Sequence, residues 1–484
     1  MTTGDTNKRA EGILEAAALQ WGERPLVVDS TGSYSYQELL SFSHEVASFL
    51  QSHGVAAGSV VGFSANDARC FIPLLFGILR ADCVALPISP HLSTDERHLH
   101  ESTADAAAAL TVSREPCAAS ASLALPGSSQ ALLTRRTPTR HDKVRATFPS
   151  AAVMRFTSGT TSTAKGVVLS HADILARTMT CQEIIDVTSE DRVLSPLPLS
   201  YHFIASVITF IRAGATILDA ARLEDSAFAL FAQTTAPTLA YAAPAHYQTL
   251  CDYVGEMQLV SLRKAISASA PLRPELARRF ESLFNLRLIQ AYGIIEVGLP
   301  LWNDNAQWNP DDLGSVKAPY EGRLVDESNG SETQGSVGEL EVRGPGLFSG
   351  YVLHSGEILK HPAGEWFQTG DLVARATDGT LAFKGRKQSR IIIGDQHIYP
   401  EEIEAVLKRS PEIIEARVSA ERDPIHGERI IAEIVSRDQT SRSLPSWLKL
   451  CEEALPPPLR PKEFRVVATI PSTGSGKVIR RSSL

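Results

Sequence analysis

Two hydrophobic rhythms alternate through the first part of the chain. Ser35-Tyr-Gln-Glu38 has the spacing of a capping box, and Leu39, Phe42, Val46, Phe49 and Leu50 follow it at intervals of three and four, which predicts a helix with one apolar face. Gly54 stands where such a helix ends in a left-handed residue. Short apolar runs at 60–63 and 84–86 read as strands on either side of a helical stretch at 71–79. Strand, helix and strand in succession predict an α/β domain with a largely parallel sheet, and the alternation is expected to run to about residue 385. Residues 113–150 lose periodicity and gain Ser, Ala, Pro and Arg, so they read as a mostly irregular connection.

The last hundred residues form a pattern of their own. A helix is predicted after Pro400 (401–407), then strands at 416–419 and 430–435 and a second helix near 447–455. Pro456-Pro-Pro458 stops that helix, because proline lacks a backbone donor and clashes with the preceding turn. With a joint near Gly385-Arg386, the expected organisation is a large multi-subdomain α/β unit over 1–386 and a small α+β lid over 387–484. No internal repeat is visible.

Composition narrows the possibilities. A chain of 484 residues exceeds what one hydrophobic core covers. The net charge of −8, with no basic stripe, argues against nonspecific nucleic-acid binding. The six cysteines (70, 83, 117, 181, 251 and 451) form no C-x-x-C pair and no metal-ligand spacing. Below a polar N-terminus without a secretory leader they read as reduced thiols of a cytoplasmic protein. No run approaches the ~18 apolar residues of a membrane helix.

The segment Phe156-Thr-Ser-Gly-Thr-Thr-Ser-Thr-Ala-Lys-Gly166 is the most informative in the chain. Its hydroxyls and bare backbone would lack partners in a core, but they can wrap a phosphate, with Lys165 adding a point charge. Apolar runs on both sides make it strand–loop–strand, and the G-x-x-x-x-G-K-[ST] spacing of a loop opening into a helix is absent. Tyr292-Gly-Ile-Ile-Glu296, Phe367-Gln-Thr-Gly-Asp371, Gly385-Arg386 and Gly474-Ser-Gly-Lys477 are each, alone, ordinary turns or a basic tail. Gly344-Pro-Gly346 is no dinucleotide fingerprint, since Ser349 replaces its last glycine, and no G-x-S-x-G elbow is present.

Taken in order, these segments together with Ser269-Ala-Pro-Leu272, Gly338-Glu-Leu, Gly350-Tyr351 and Pro400-Glu-Glu-Ile-Glu404 resemble the adenylate-forming superfamily. That group holds acyl-CoA and aryl-CoA synthetases, peptide-synthetase adenylation domains and luciferases. The resemblance runs from Tyr36 to Lys477. It implies MgATP-dependent conversion of a small-molecule carboxylic acid to an acyl-adenylate with release of pyrophosphate. The lid then rotates, and the acyl group passes to the pantetheine thiol of CoA or of an acyl or peptidyl carrier protein.

By that resemblance the phosphate loop comprises Thr157, Ser158, Gly159, Thr160, Thr161 and Lys165, with Thr160, Thr161 and Lys165 on the β- and γ-phosphates. Glu296 would ligate Mg²⁺, a hard cation suited to oxygen. Asp371, acceptor-only, would take the ribose hydroxyls with Arg386 beside it. Ser269, Ala270, Pro271, Tyr292 and Gly293 would enclose the adenine. Lys477, on the lid, would be the catalytic lysine joining carboxylate and α-phosphate. Tyr201 and His202 would border the acyl and thiol channel, with His202 a catalytic candidate that such sites use more often as a gate or packing residue than as a general base. Ser389 would mark the hinge.

Several positions depart from the family pattern. Ser162 and Ala164 replace the usual Gly and Pro, and Ile295 replaces a threonine whose hydroxyl would touch the α-phosphate. Ser389 replaces Asp or Lys. Asp395 replaces a glycine on the loop lining the thiol tunnel, where a carboxylate either repels an approaching thiolate or points into solvent from a turn that Asp tolerates. Phe203-Ile-Ala-Ser-Val207 contains no acid to bind an α-ammonium, and Ala291 adds a methyl before Tyr292-Gly293. Both favour an uncharged aryl or short-to-medium acyl carboxylate. Two alternatives stay open: transfer of the acyl group to an amine, and a catalytically silent nucleotide-binding protein.

Overall fold

The computed structural model describes residues 8–115, 121–136, 143–157, 164–253, 259–304, 312–326, 330–333, 336–389, 391–393, 396–423, 427–440, 443–471 and 478. Two large sheets dominate it. In the nine-stranded sheet, Ala151–Phe156, Val84–Pro87, Val60–Ser64 and Ala108–Ser113 run parallel side by side, with antiparallel strands at both edges. In the 13-stranded sheet a parallel run from Pro25–Asp29 to Leu288–Ile294 turns antiparallel at Gly298–Asn303.

The main core lies between these sheets. It combines Val61, Phe63 and Val153 from one sheet with Val27, Val193, Ile217 and Ile266 from the other. The helices Tyr36–Ser52, Ala68–Arg80 and His171–Ile185 add Val46, Phe71 and Ile174 to it. Each fully buried Phe or Leu contributes about 1.5–3 kcal/mol. The predicted capping box is present in full, Ser35 and Glu38 each bonding the other's backbone, and Gly54 follows the helix end at φ +70°. The lid helices fall at Pro400–Leu407 and Leu444–Ala454, packed on strands Ile413–Asp423 and Gly427–Ser436 around a core of their own.

Two expectations fail. The stretch 113–150 is not mostly irregular: Ala121–Leu125 and Ser129–Arg135 form a hairpin at the sheet edge, followed by the short helix Lys143–Thr147. Pro126-Gly127 makes the turn, and the alternate burial of Ser129, Ala131 and Leu133 gives the strand period, which small residues obscure in the sequence. Nor does strand–helix alternation persist to 385. Between Gly298 and Arg386 every regular element among the described residues is a strand. Asp371, Gly385 and Arg386, read as turn residues, are paired strand residues there. Short strands broken by Gly and Pro carry too few apolar repeats to distinguish them from turns. Among the described residues no helix is long and apolar enough to cross a membrane.

Candidate active site

The strand Ala151–Phe156 is buried throughout and pairs antiparallel with Gly166–Ser170, Phe156 opposite Gly166. The neck of the predicted phosphate loop is tied just beyond. Thr157 N–H donates to the Lys165 carbonyl at 2.9 Å, and Lys165 N–H donates to Thr157 Oγ1 at 3.2 Å. Ser158, Gly159, Thr160, Thr161 and Ser162 lie outside the described residues. Behind the neck, the Phe156 ring is stacked between His100, 4.2 Å away, and His354, 5.9 Å away. Burial pushes His100 down to about 4, so this ring is neutral near pH 7.

Lys165 reaches the metal-site candidate through one aromatic ring. Its ammonium lies 4.9 Å from the centre of the Tyr351 ring, and the Tyr351 hydroxyl donates to Glu296 Oε1 at 2.9 Å. Strand pairing sets this up, because Gly350–Val352 lies antiparallel to Gly166–Ser170. Burial and the Glu296 charge both push the Tyr351 phenol up, so it remains a donor. No cation is ion-paired with Glu296, and no cluster of three metal-ligating side chains occurs among the described residues. One carboxylate with lone pairs to spare fits Mg²⁺, which takes one or two protein carboxylates and completes its shell with phosphate and water.

Arg177, in the helix His171–Ile185, fixes the backbone of that glutamate. It is 1% exposed, and its guanidinium donates to the carbonyls of Ile295 at 2.6 Å, Glu296 at 3.0 Å and Gly346 at 2.8 Å. The side chain of Ile295 packs against the main core.

A second network starts four residues earlier on the same turn. The Tyr292 hydroxyl donates to Asp371 Oδ2 at 2.5 Å, and Arg386 Nε lies 3.2 Å from Asp371 Oδ1. Asp371 and Arg386 are register partners on adjacent strands, Asp371 buried and Arg386 exposed. Burial, then the Asp371 charge, raise the Tyr292 phenol well above its ordinary value, so it too stays a donor. Each carboxylate oxygen of Asp371 keeps a lone pair for a further hydroxyl. Gly293 is required by the tightness of this hairpin: a Cβ there would lie 2.3 Å from the Gly298 carbonyl oxygen. Gln290 braces the facing loop, accepting from Leu272 N–H at 2.8 Å. That loop carries Ser269 at φ +75°, with Ala270 and Pro271 exposed.

Ser269 also connects to the predicted acyl channel, its Oγ lying 3.1 Å from His202 Nε2. Tyr201 and His202 end the short helix Leu199–His202, and Ser206 Oγ donates to the His202 carbonyl. Tyr201 is covered by Arg155, whose guanidinium carbon lies 4.9 Å from the ring centre and whose Nη1 donates to the Tyr201 carbonyl at 2.9 Å. Ala291 is buried beside Tyr292.

At the predicted hinge, Ser389 closes the short turn Lys387–Ser389, its single hydroxyl proton shared between Glu401 Oε1 at 2.6 Å and the Arg386 carbonyl at 3.0 Å. A Cβ on Gly385 would lie 2.7 Å from Tyr399 Cβ, so the glycine lets the chain of the lid seat closely. Lys477 and Asp395 lie outside the described residues.

The structure therefore brings Thr157, Lys165 and Glu296 into one cluster, Tyr292, Asp371 and Arg386 into a second, and Ser269 with His202 into a third. Sequence reading missed Arg155, Arg177, Gln290 and the role of Tyr351. Two of these left a trace: Arg155 is a charge inside an apolar run, and Arg177 falls on the helical stripe of His171, Ile174, Cys181 and Ile185.

The chain is similar to the sulfoacetate–CoA ligase of Cupriavidus necator, with 26% identity over 97% of this chain and 96% of that one. It is equally similar to the oxalate–CoA ligase of Arabidopsis thaliana, with 26% identity over 97% of both. The amide bond synthetase McbA of Marinactinospora thermotolerans shares the fold, with a TM-score of 0.80 at 23% identity over 97% of this chain and 98% of that one. Residues 402–477 match the AMP-binding enzyme C-terminal domain and residues 14–352 the AMP-binding enzyme model, so the chain belongs to the AMP-binding enzyme family.

Proposed function

We propose that the protein activates a carboxylic acid, aryl or short-to-medium acyl, with ATP, and passes the acyl group to a pantetheine thiol. The observation that carries this is the single turn Tyr292–Glu296, from which one network leads to Asp371 and Arg386 and the other to Tyr351 and Lys165. A nucleoside acceptor and a phosphate-and-cation site at opposite ends of one turn suit a nucleoside triphosphate.

In this reading the free lone pairs of Asp371 accept the ribose hydroxyls, and Ser269, Ala270, Pro271 and Tyr292 flank the adenine. Thr160, Thr161 and Lys165 hold the β- and γ-phosphates. Mg²⁺ bound at Glu296 would neutralise phosphate charge. Lys477 brings the acid carboxylate against the α-phosphate; a carboxylate oxygen bonds to phosphorus, and the bond to the bridging oxygen breaks to release pyrophosphate. In the second half-reaction the thiol sulfur attacks the acyl carbon and AMP leaves. The CoA ligases among the relatives support CoA as acceptor, a carrier protein being the other source of the same thiol. A cytoplasmic location suits both co-substrates.

The test is mass spectrometry of purified protein with MgATP and a panel of aryl and aliphatic acids, with and without CoA. Acyl-AMP that converts to acyl-CoA is the expected result. Acyl-AMP that accumulates despite CoA would move the acceptor to a carrier protein or an amine. No adenylate from any acid would overturn the proposal.

A further inference from the structure

Arg155 is a positive charge inside the protein that makes no ion pair among the described residues, although the Glu296 carboxylate acts on it through space. Strand alternation places it on the same face as Val153, toward the inter-sheet core that holds Phe203, Ile204 and Val207. It is 8% exposed. No carboxylate is ion-paired with it among the described residues, its hydrogen bond goes from Nη1 to the Tyr201 carbonyl, and Nε is buried without a partner. Burial lowers its pKa to about 10, which leaves it protonated at neutral pH. The other arginine deep in this region, Arg177, is saturated by backbone carbonyls, so it is structurally occupied where Arg155 is not.

A buried cation is ordinarily paired, because desolvation without a counter-charge is costly. The edge of the guanidinium that carries Nε is the edge that grips a carboxylate through two parallel bonds. The guanidinium lies over the Tyr201 ring, next to His202, which contacts the loop of Ser269. We propose that Arg155 receives a second anionic group of the acid substrate, so that the preferred acid carries a further carboxylate or sulfonate besides the carboxylate that is adenylated. This rests on the adenylating function proposed above and narrows it. It departs from the uncharged acid expected from the sequence, which followed from the residues after His202 and left Arg155 out of account. The two CoA ligases named above act on sulfoacetate and oxalate, each an acid with a second anion.

Matched pairs of acids test the idea: malonate against propanoate, succinate against butanoate, and sulfoacetate against propanoate, by ATP–pyrophosphate exchange. The native protein should favour the doubly anionic member in kcat/KM by about 10- to 100-fold, the worth of a hydrogen-bonded charge pair. Arg155→Met should abolish that ratio, and Arg155→Lys should retain part of it. A native preference for the singly charged member, or a Met variant that loses both members equally, overturns the proposal. The Met variant should melt no lower than the native protein, since an unpaired buried charge is being replaced by an apolar chain of similar length. A Met variant that does not fold, with an Arg155→Lys variant of unchanged preference, also overturns it. If no acid supports exchange, the adenylating function fails, and calorimetric titration with malonate and sulfoacetate decides the anion site. Binding lost in Arg155→Met upholds it, and equal or absent binding in both proteins sinks it.

Discussion

The hydroxyl of Tyr351 donates to Oε1 of Glu296 at 2.9 Å, and the same ring carries the Lys165 ammonium on its face. Tyr351 is thus the brace between the predicted cation ligand and the predicted phosphate lysine. Tyr351→Phe keeps the ring and deletes the donor. A hydrogen bond to a charged group is worth about 1.5–3 kcal/mol. The Mg²⁺ concentration for half-maximal pyrophosphate exchange should therefore rise about tenfold or more, with a smaller change in kcat. An unchanged magnesium titration would remove Tyr351 from this role.

Tyr292→Phe takes one of two described donors from the buried carboxylate of Asp371 and leaves only exposed Arg386 beside it. The KM for ATP should rise about tenfold, on the same hydrogen-bond scale. Discrimination between ATP and 2′-deoxy-ATP should also fall, because Asp371 is no longer held in place. Steady-state kinetics with both nucleotides measures this, and equal losses for the two would speak against Asp371 as the ribose acceptor.

Arg177 and Arg155 should respond oppositely to the same substitution. Arg177→Met strips donors from the carbonyls of Ile295, Glu296 and Gly346, and breaking a buried network of this kind costs about 3–5 kcal/mol. A lower melting temperature and a lower adenylation rate should appear together. A variant as stable as the native protein would show that backbone or solvent replaces the guanidinium.

Acidification should destabilise the fold between pH 6.5 and about 4. Burial lowers His100, His171 and His246 to about 4, so across that window the unfolded chain binds protons that the folded one refuses. Asp219 acts in the opposite sense: burial raises it to about 6, and the folded state then holds a proton that the unfolded chain releases. Burial also lowers His44 and His361 and raises Glu11, so the histidines outnumber the carboxyls and the net effect is a loss of stability on acidification. Urea midpoints at pH 7, 6 and 5 should fall in that order, and His100→Phe should flatten the trend.

Lys477→Ala should abolish acyl-AMP formation while ATP binding persists. Calorimetry with ATP beside a pyrophosphate-exchange assay separates the two. Retained exchange would exclude Lys477 from the first half-reaction.

The sequence announced elements with long or doubly signalled periods. The helix Tyr36–Ser52 had both its capping box and its apolar stripe, and the phosphate loop had apolar strands on each side. The hairpin Ala121–Leu125 with Ser129–Arg135 escaped because Ser129 and Ala131 share its inward positions with Leu125 and Leu133, leaving little hydrophobic contrast. In the site, motif residues were legible because each sits on a recognisable string. Tyr351, Arg155 and Arg177 were not, since their roles depend on which strand lies beside which. The pairing of Gly350–Val352 with Gly166–Ser170, far apart in the chain, is what puts Tyr351 between Lys165 and Glu296.

Tyr292 and Glu296 belong to one hairpin, closed by the pairing of Ile294 with Gly298 and clamped from behind by Arg177. If the proposed roles hold, the turn would act as a ruler: the separation of Tyr292 from Glu296, and so of nucleoside from polyphosphate, would be set within one hairpin and not by the position of the lid. On the proposed reading, nucleotide length would be measured before the lid commits, leaving the lid to govern the chemistry at the α-phosphate, through Lys477, and then at the acyl carbon.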